Sequence, residues 1–310
     1  MHAAQPHLLK YIPKGGLHEA LYAGVPAPYW APPPGVCVGQ TMAPVIVHVH
    51  IPKMAGTTVM RAFPRWAGIS YCPWQSVRWP LHPTYGNETY FYELLTRSCA
   101  AGAAPACFSS YEGAWDDALA ACRRQPDARP IMLTLLRSPM AWLYSAMRWS
   151  GQPPEKLARA GSWRTADGYG FDRPLCALSG RTWCRPPGLV DPGRSRAELV
   201  EHILRNLAQR DTAWGLAEQL PASLLLILRQ VGLRERAKKY CGSSAAAAAA
   251  AGTRHKRYDG NISYHVSYGA LQWLVARMQT YQEVFSRAAA LFHTRAHVAT
   301  MDVCGSGGLR

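Results

Sequence analysis

The stretch Val45-Ile46-Val47-His48-Val49-His50-Ile51-Pro52-Lys53-Met54-Ala55-Gly56-Thr57-Thr58 decides the reading of this chain. Its first seven residues are β-branched and apolar apart from His48 and His50, and they read as a buried strand. Pro52 to Thr57 reads as a turn containing Gly56. Thr57 to Trp66 reads as a helix capped by Thr57 or Thr58. A strand that feeds a glycine loop and then a helix N-terminus makes an anion site. The loop N–H groups converge there, and the helix dipole favours negative charge. Lys53 adds a cation at the start of the loop. The nucleotide-hydrolase loop carries its Lys at the end, directly before Ser or Thr. The reversed order here argues against a Mg-dependent kinase or ATPase. His48 and His50, two apart on one strand face, read as packed strand residues rather than catalysts.

A second unit of the same kind follows. Ile131-Met132-Leu133-Thr134-Leu135-Leu136-Arg137 reads as a strand, and Pro139 stands at a helix start that runs to about Trp149. Arg137 therefore lies at the carboxyl edge of a sheet, where ligands bind in α/β folds. Ser145 lies eight residues further on, about two helical turns along. Two strand–turn–helix units imply a parallel sheet flanked by helices, an α/β fold of the phosphate-loop, three-layer type. Trp115 to Arg123 and Ala197 to Gln209 read as helices, and Ser223 to Val231 as either strand or helix. Tyr268 to His293 carries an apolar core stripe that includes Leu271, Leu274, Val275, Met278, Tyr281, Val284 and Phe292. Residues 67–107 and 150–195 read as irregular. Residues 1–43 form a Pro-rich arm or stem, 44–295 the main domain, 243–252 a low-complexity Ala insertion and 296–310 a tail.

Composition bounds the partners. The chain has 310 residues, with 34 Lys plus Arg against 19 Asp plus Glu, a net charge of +15. All but seven of the cations are Arg. An anionic partner (phosphate, sulfate or acidic glycan) accounts for such an excess, and so does genomic composition bias. No apolar run is long enough for a membrane span, which needs about 20 residues. Membrane association therefore requires an N-terminal anchor beyond what the sequence displays. No secretory signal is visible in 1–44. The nine Cys form no CxxC pair, while the spacings Cys99/Cys107 and Cys176/Cys184 suit short disulfide loops. Asn87 and Asn261 both stand in glycosylation sequons. These last features favour the secretory pathway, with the cytoplasm as the alternative.

Lys53-Met54-Ala55-Gly56-Thr57-Thr58 after a strand resembles the 5′-phosphosulfate loop of sulfotransferases that use 3′-phosphoadenosine 5′-phosphosulfate (PAPS). His50 to Thr58 matches the family form His-Ile-Pro-Lys-x-x-Gly-Thr-[Ser/Thr]. Arg137 and Ser145 are similar to the family's 3′-phosphate clamp, although Ser138 stands where Asp is common. Trp214-Gly215-Leu216-Ala217-Glu218 resembles the Gly-Leu-Thr-Glu segment of the membrane-bound glycan sulfotransferases, the heparan sulfate 2-O/6-O type and bacterial relatives. Ala217 replaces the usual Thr. Gln282-Glu283-Val284-Phe285 resembles part of their terminal helix.

The resemblance implies that Lys53 holds the sulfuryl and bridging oxygens. Backbone amides from Ala55, Gly56, Thr57 and Thr58, with the two Thr hydroxyls, would hold the 5′-phosphate. Lys256 or Arg257, in a basic loop before the last helix, would close over the nucleotide. PAPS is then the co-substrate, and no metal is required because a phosphate already leaves well. The acceptor is a glycan or glycoprotein hydroxyl, the setting is the Golgi lumen, and nucleic acid is the least supported partner. The base is where the chain departs from these relatives. They place a His between the two phosphate motifs, and this sequence has Cys107-Phe108-Ser109-Ser110-Tyr111-Glu112. Glu112 is the candidate base and His82 the second choice. The competing expectation is a non-catalytic binder of acidic polysaccharide on the same scaffold.

Overall fold

The computed structural model describes residues 45–70, 107–111, 115, 130–160, 170–185, 189–209, 212–241 and 266–305. Four parallel strands form the central sheet: β1 (Val45–Val49), β2 (Cys107–Tyr111), β3 (Pro130–Leu136) and β6 (Thr212–Leu216), in the order β2-β1-β3-β6. Val45↔Cys107 to Val49↔Tyr111 sets the β1–β2 register, and Val45↔Pro130 to His48↔Leu133 sets β1–β3. Past that last pair, the buried Thr134 hydroxyl donates to the Val49 carbonyl at 3.1 Å and prolongs the attachment. Ile46 to Val49, Met132 to Leu136 and all of β6 are buried without alternation. A strand buried on both faces needs cover on both, so this is an α/β arrangement.

The helices follow the sheet's needs. Helix α1 (Gly56–Ala67) leaves the β1 loop, and α2 (Pro139–Ser150) leaves β3 with Pro at its first position. Next come α3 (Pro154–Ala160) and α4 (Arg173–Ser179). A two-stranded antiparallel ladder, β4 (Cys184–Arg185) with β5 (Leu189–Val190), adjoins α4. Cys176–Cys184 ties the two together, with Cα atoms 5.7 Å apart. Helix α5 (Arg196–Ala208) is capped by Ser195, whose hydroxyl accepts from the Glu198 N–H. Helices α6 (Leu220–Gln230) and α7 (Arg234–Ala237) precede α8 (Tyr268–Cys304). A second disulfide, Cys241–Cys304, joins the chain just after α7 to the end of α8.

Several expectations are refined. Of the stretch 223–231, all but the C-cap Val231 belongs to a helix: Pro221 at its first turn and six consecutive buried residues against the sheet explain it. Helix α1 begins one residue before Thr57, with Ala55 as its N-cap and no side-chain cap. Helix α8 continues past His293 to Cys304 and takes in much of the expected tail. Its buried line runs on through Ala296, Ala299 and Val303. Leu271 and Val275, placed in the core stripe from sequence, are 39% and 47% exposed, because the buried line follows Ala270, Leu274 and Met278 instead. Strands β2 and β6 lie where no strand was read. Both have only five residues, and Ser109, Ser110 and Gly215 interrupt their apolar pattern.

Candidate functional site

Because the sheet is wholly parallel, the carboxyl ends of its strands share one edge. Lys53 follows β1, Arg137 follows β3 and Glu218 follows β6 at that edge. Strand β2 ends there too, at Tyr111, directly before Glu112. Glu112 itself, with His82, Lys256 and Arg257, lies outside the described residues.

The loop after β1 has an uncommon backbone. Lys53 and Ala55 adopt positive φ, 68° and 59°, while Met54 between them does not. Non-glycine residues rarely adopt this region, and its cost is usually borne at functional sites. Alternation of φ sign along three residues gathers their N–H groups into a concavity suited to an anion. The Thr58 and Val59 N–H groups are both committed to the Ala55 carbonyl, at 2.9 and 3.1 Å. Thr58 N–H is therefore removed from the expected set of free loop amides. Among the described residues, the Ala55 and Gly56 N–H groups have no acceptor, and they open at the N-terminus of α1. Gly56 is required for a separate reason: a Cβ there would overlap the His50 ring.

The second unit braces this loop through its carbonyls. The Trp142 indole N–H, on α2, donates to the Pro52 carbonyl at 2.9 Å. The Arg137 guanidinium donates from Nη1 to the Lys53 carbonyl at 3.0 Å. With their carbonyls held from the β3–α2 side, the peptide units of the loop are fixed in orientation. Ser145 is half-buried on α2. It stands three residues after Trp142 and four before Trp149, so it lies on the same side of the helix as both. Trp142 bonds the loop, and the Lys53 ammonium lies over the Trp149 ring at 4.9 Å from its centroid. The structure thus brings Lys53, Ala55, Gly56, Thr58, Arg137 and Ser145 into one neighbourhood.

Two residues at the edge escaped the sequence reading of the site. The Tyr281 hydroxyl, from α8, donates to the Arg137 carbonyl at 2.8 Å and accepts from the Arg137 N–H at 3.4 Å. It also lies 3.6 Å from Met54 Sδ, and so touches both units. Burial pushes its phenol far above the ordinary tyrosine range. The phenol stays a neutral donor. The Glu218 carboxylate accepts from the Ser138 N–H at 2.9 Å, which caps α2 with negative charge. Glu218 is carried by a tight corner. A Cβ at Gly215 would overlap Ser223, whose hydroxyl bonds the N–H and carbonyl of Leu216 at 2.8 Å each. Tyr281 was legible only as core stripe, and Glu218 only as part of a resembling segment.

Behind the loop, His48 and His50 are buried and stand 5.6 Å apart, centroid to centroid. His48 Nδ1 pairs with Ser110 Oγ at 2.9 Å and its ring stacks on Phe108. Burial first, and His50 second, hold its imidazole well below the usual range. A neutral, enclosed imidazole of this kind is a support for the loop. No group of metal-ligating side chains occurs among the described residues. Neither a protein-family model nor a curated protein sequence matches the chain.

Proposed function

We propose that the chain is a PAPS-dependent sulfotransferase with a phosphate-loop, three-layer α/β fold. It would move a sulfuryl group to a hydroxyl of a glycan or glycoprotein. The observation that carries this reading is the hydrogen bond from Arg137 to the Lys53 carbonyl. It brings the Arg137 guanidinium onto the loop that carries Lys53 and the Ala55 and Gly56 amides, which supports a single anion site built from both units. An arginine has five N–H donors, and this bond uses one. The remaining fork suits a phosphate, with Ser145 on the adjoining helix face as a further donor.

In the transfer, the acceptor oxygen forms a bond to sulfur while the bond from sulfur to the 5′-phosphate oxygen breaks. The acceptor proton goes to a base, for which Glu112, just beyond β2, is the candidate and His82 the second. Lys53 and the loop amides stabilise charge on the sulfuryl and leaving oxygens. The two disulfides fit a secreted or lumenal setting, and the Golgi lumen is the compartment proposed. No described helix is long and apolar enough to cross a membrane.

Calorimetry with 3′,5′-ADP and a transfer assay with labelled PAPS test the reading. The wild type should bind 3′,5′-ADP at one site, and Arg137→Ala should abolish that binding. Lys53→Ala should lower transfer by about 10²–10³-fold. Binding that is indifferent to Arg137, or unchanged turnover by the Lys53 variant, defeats the proposal. Specific nucleotide binding without transfer to any member of a glycan and glycopeptide panel would favour the non-catalytic binder.

A further inference from the structure

Trp149 occupies an uneconomical position for a tryptophan. It is 43% exposed near the end of α2, so core burial does not account for it. Trp142, on the same side of that helix, is fully buried and bonded to the loop. What distinguishes Trp149 is the Lys53 ammonium lying over its ring, 4.9 Å from the centroid. The neighbouring helix cation, Arg148, is turned to another ring, that of Tyr144, at 5.9 Å.

A lysine ammonium sits on a flexible four-carbon stem, and immobilising that stem is costly. Positive φ at Lys53 aims the start of the stem, and a backbone angle does not reach its far end. An indole face within about 6 Å attracts a cation through its quadrupole and sets that far end. We propose that Trp149 is the positioning residue for Lys53, holding the ammonium at the mouth of the loop. The catalytic consequence rests on the sulfuryl-transfer reading; the contact itself does not. Trp149 touches no reacting atom in this assignment and acts through Lys53.

Two measurements test it. The first reads the contact directly. The chain has seven lysines, few enough for reductive methylation with ¹³C-formaldehyde to give separable signals. Lys53→Arg identifies the Lys53 signal by removing it. That signal should lie upfield of the other lysines through the indole ring current. It should return to their position in Trp149→Leu and shift only partly in Trp149→Phe. A Lys53 signal at the ordinary position in the wild type, or unmoved in Trp149→Leu, overturns the proposal.

The second measurement reads the consequence. Trp149→Leu should lower kcat about two- to fivefold, the range of an exposed cation–π contact. KM for PAPS should change less, melting temperature should hold, and Trp149→Phe should recover most of the rate. Equal kcat in the wild type and Trp149→Leu overturns the positioning role. Failure of the wild type to bind 3′,5′-ADP overturns the transfer reading instead, and the lysine spectra still decide the contact.

Discussion

At the scale of single residues, the site depends on shapes that few side chains can take. Gly56→Ala should clash with the His50 ring, destabilise the fold by about 1–3 kcal/mol and abolish 3′,5′-ADP binding. His50→Ala in the same chain should restore part of the melting temperature, and additive losses would show that the two residues do not meet. Ala55 presents the opposite case. Its φ of 59° suits glycine better than alanine, so Ala55→Gly should stabilise by about 1 kcal/mol in urea unfolding. His48 supplies a pH dependence. Its imidazole is held below the ordinary value of 6.5 in the folded chain, so the unfolded chain binds more protons between the two values. Stability from this group is complete above about pH 6.5 and declines as pH falls through it. Urea midpoints at pH 7.5 and 5.5 should differ, and His48→Asn should narrow the gap. Lys53 and Gly56 stood out in the sequence because an apolar strand, a glycine turn and a helix start follow one another there. Tyr281 did not, since its hydroxyl reaches across 144 residues to Arg137 and nothing local marks that reach.

At the scale of elements, the two strand–loop–helix units are joined by the β1–β3 pairing, by Trp142 and Arg137 at loop carbonyls, and by Tyr281, which bonds Arg137 and touches Met54 Sδ. Tyr281→Phe removes one oxygen and leaves the ring's packing intact. It should cost about 1–3 kcal/mol of stability and weaken 3′,5′-ADP binding, because the Arg137 peptide loses its clamp. A variant that melts lower yet binds the nucleotide unchanged would confine Tyr281 to the core. The long elements were legible for a physical reason. Strands β1 and β3 are continuous apolar runs, as strands buried on both faces must be, and Pro139 announces α2. Strand β6 was obscured because Gly215 yields its side chain to Ser223 of α6. The end of α8 was obscured because Ala296 and Ala299, both small, carry its buried line there.

At the scale of the whole molecule, α8 is the long brace. Its end is secured by Cys241–Cys304 and by Asp302, which pairs with Arg229 at 2.6 Å and Arg234 at 3.2 Å. That disulfide closes a span of 63 residues, and its loss in Cys304→Ser should cost about 2–5 kcal/mol, read as a lower melting temperature under oxidising conditions. Arg229, Arg234, Arg196 and Arg287 make ion pairs with acidic side chains. These four arginines serve the fold against three carboxylates, so they account for little of the net positive charge. The Tyr281 clamp also sets an order of events during synthesis. The loop of Lys53 and the strand ending in Arg137 leave the ribosome long before residue 281. A nascent chain stopped short of α8 carries both strand–loop–helix units but lacks the hydroxyl that fixes the Arg137 peptide. The braced geometry of the loop mouth therefore arrives late, once translation has passed Tyr281, and any anion binding built on that geometry arrives with it.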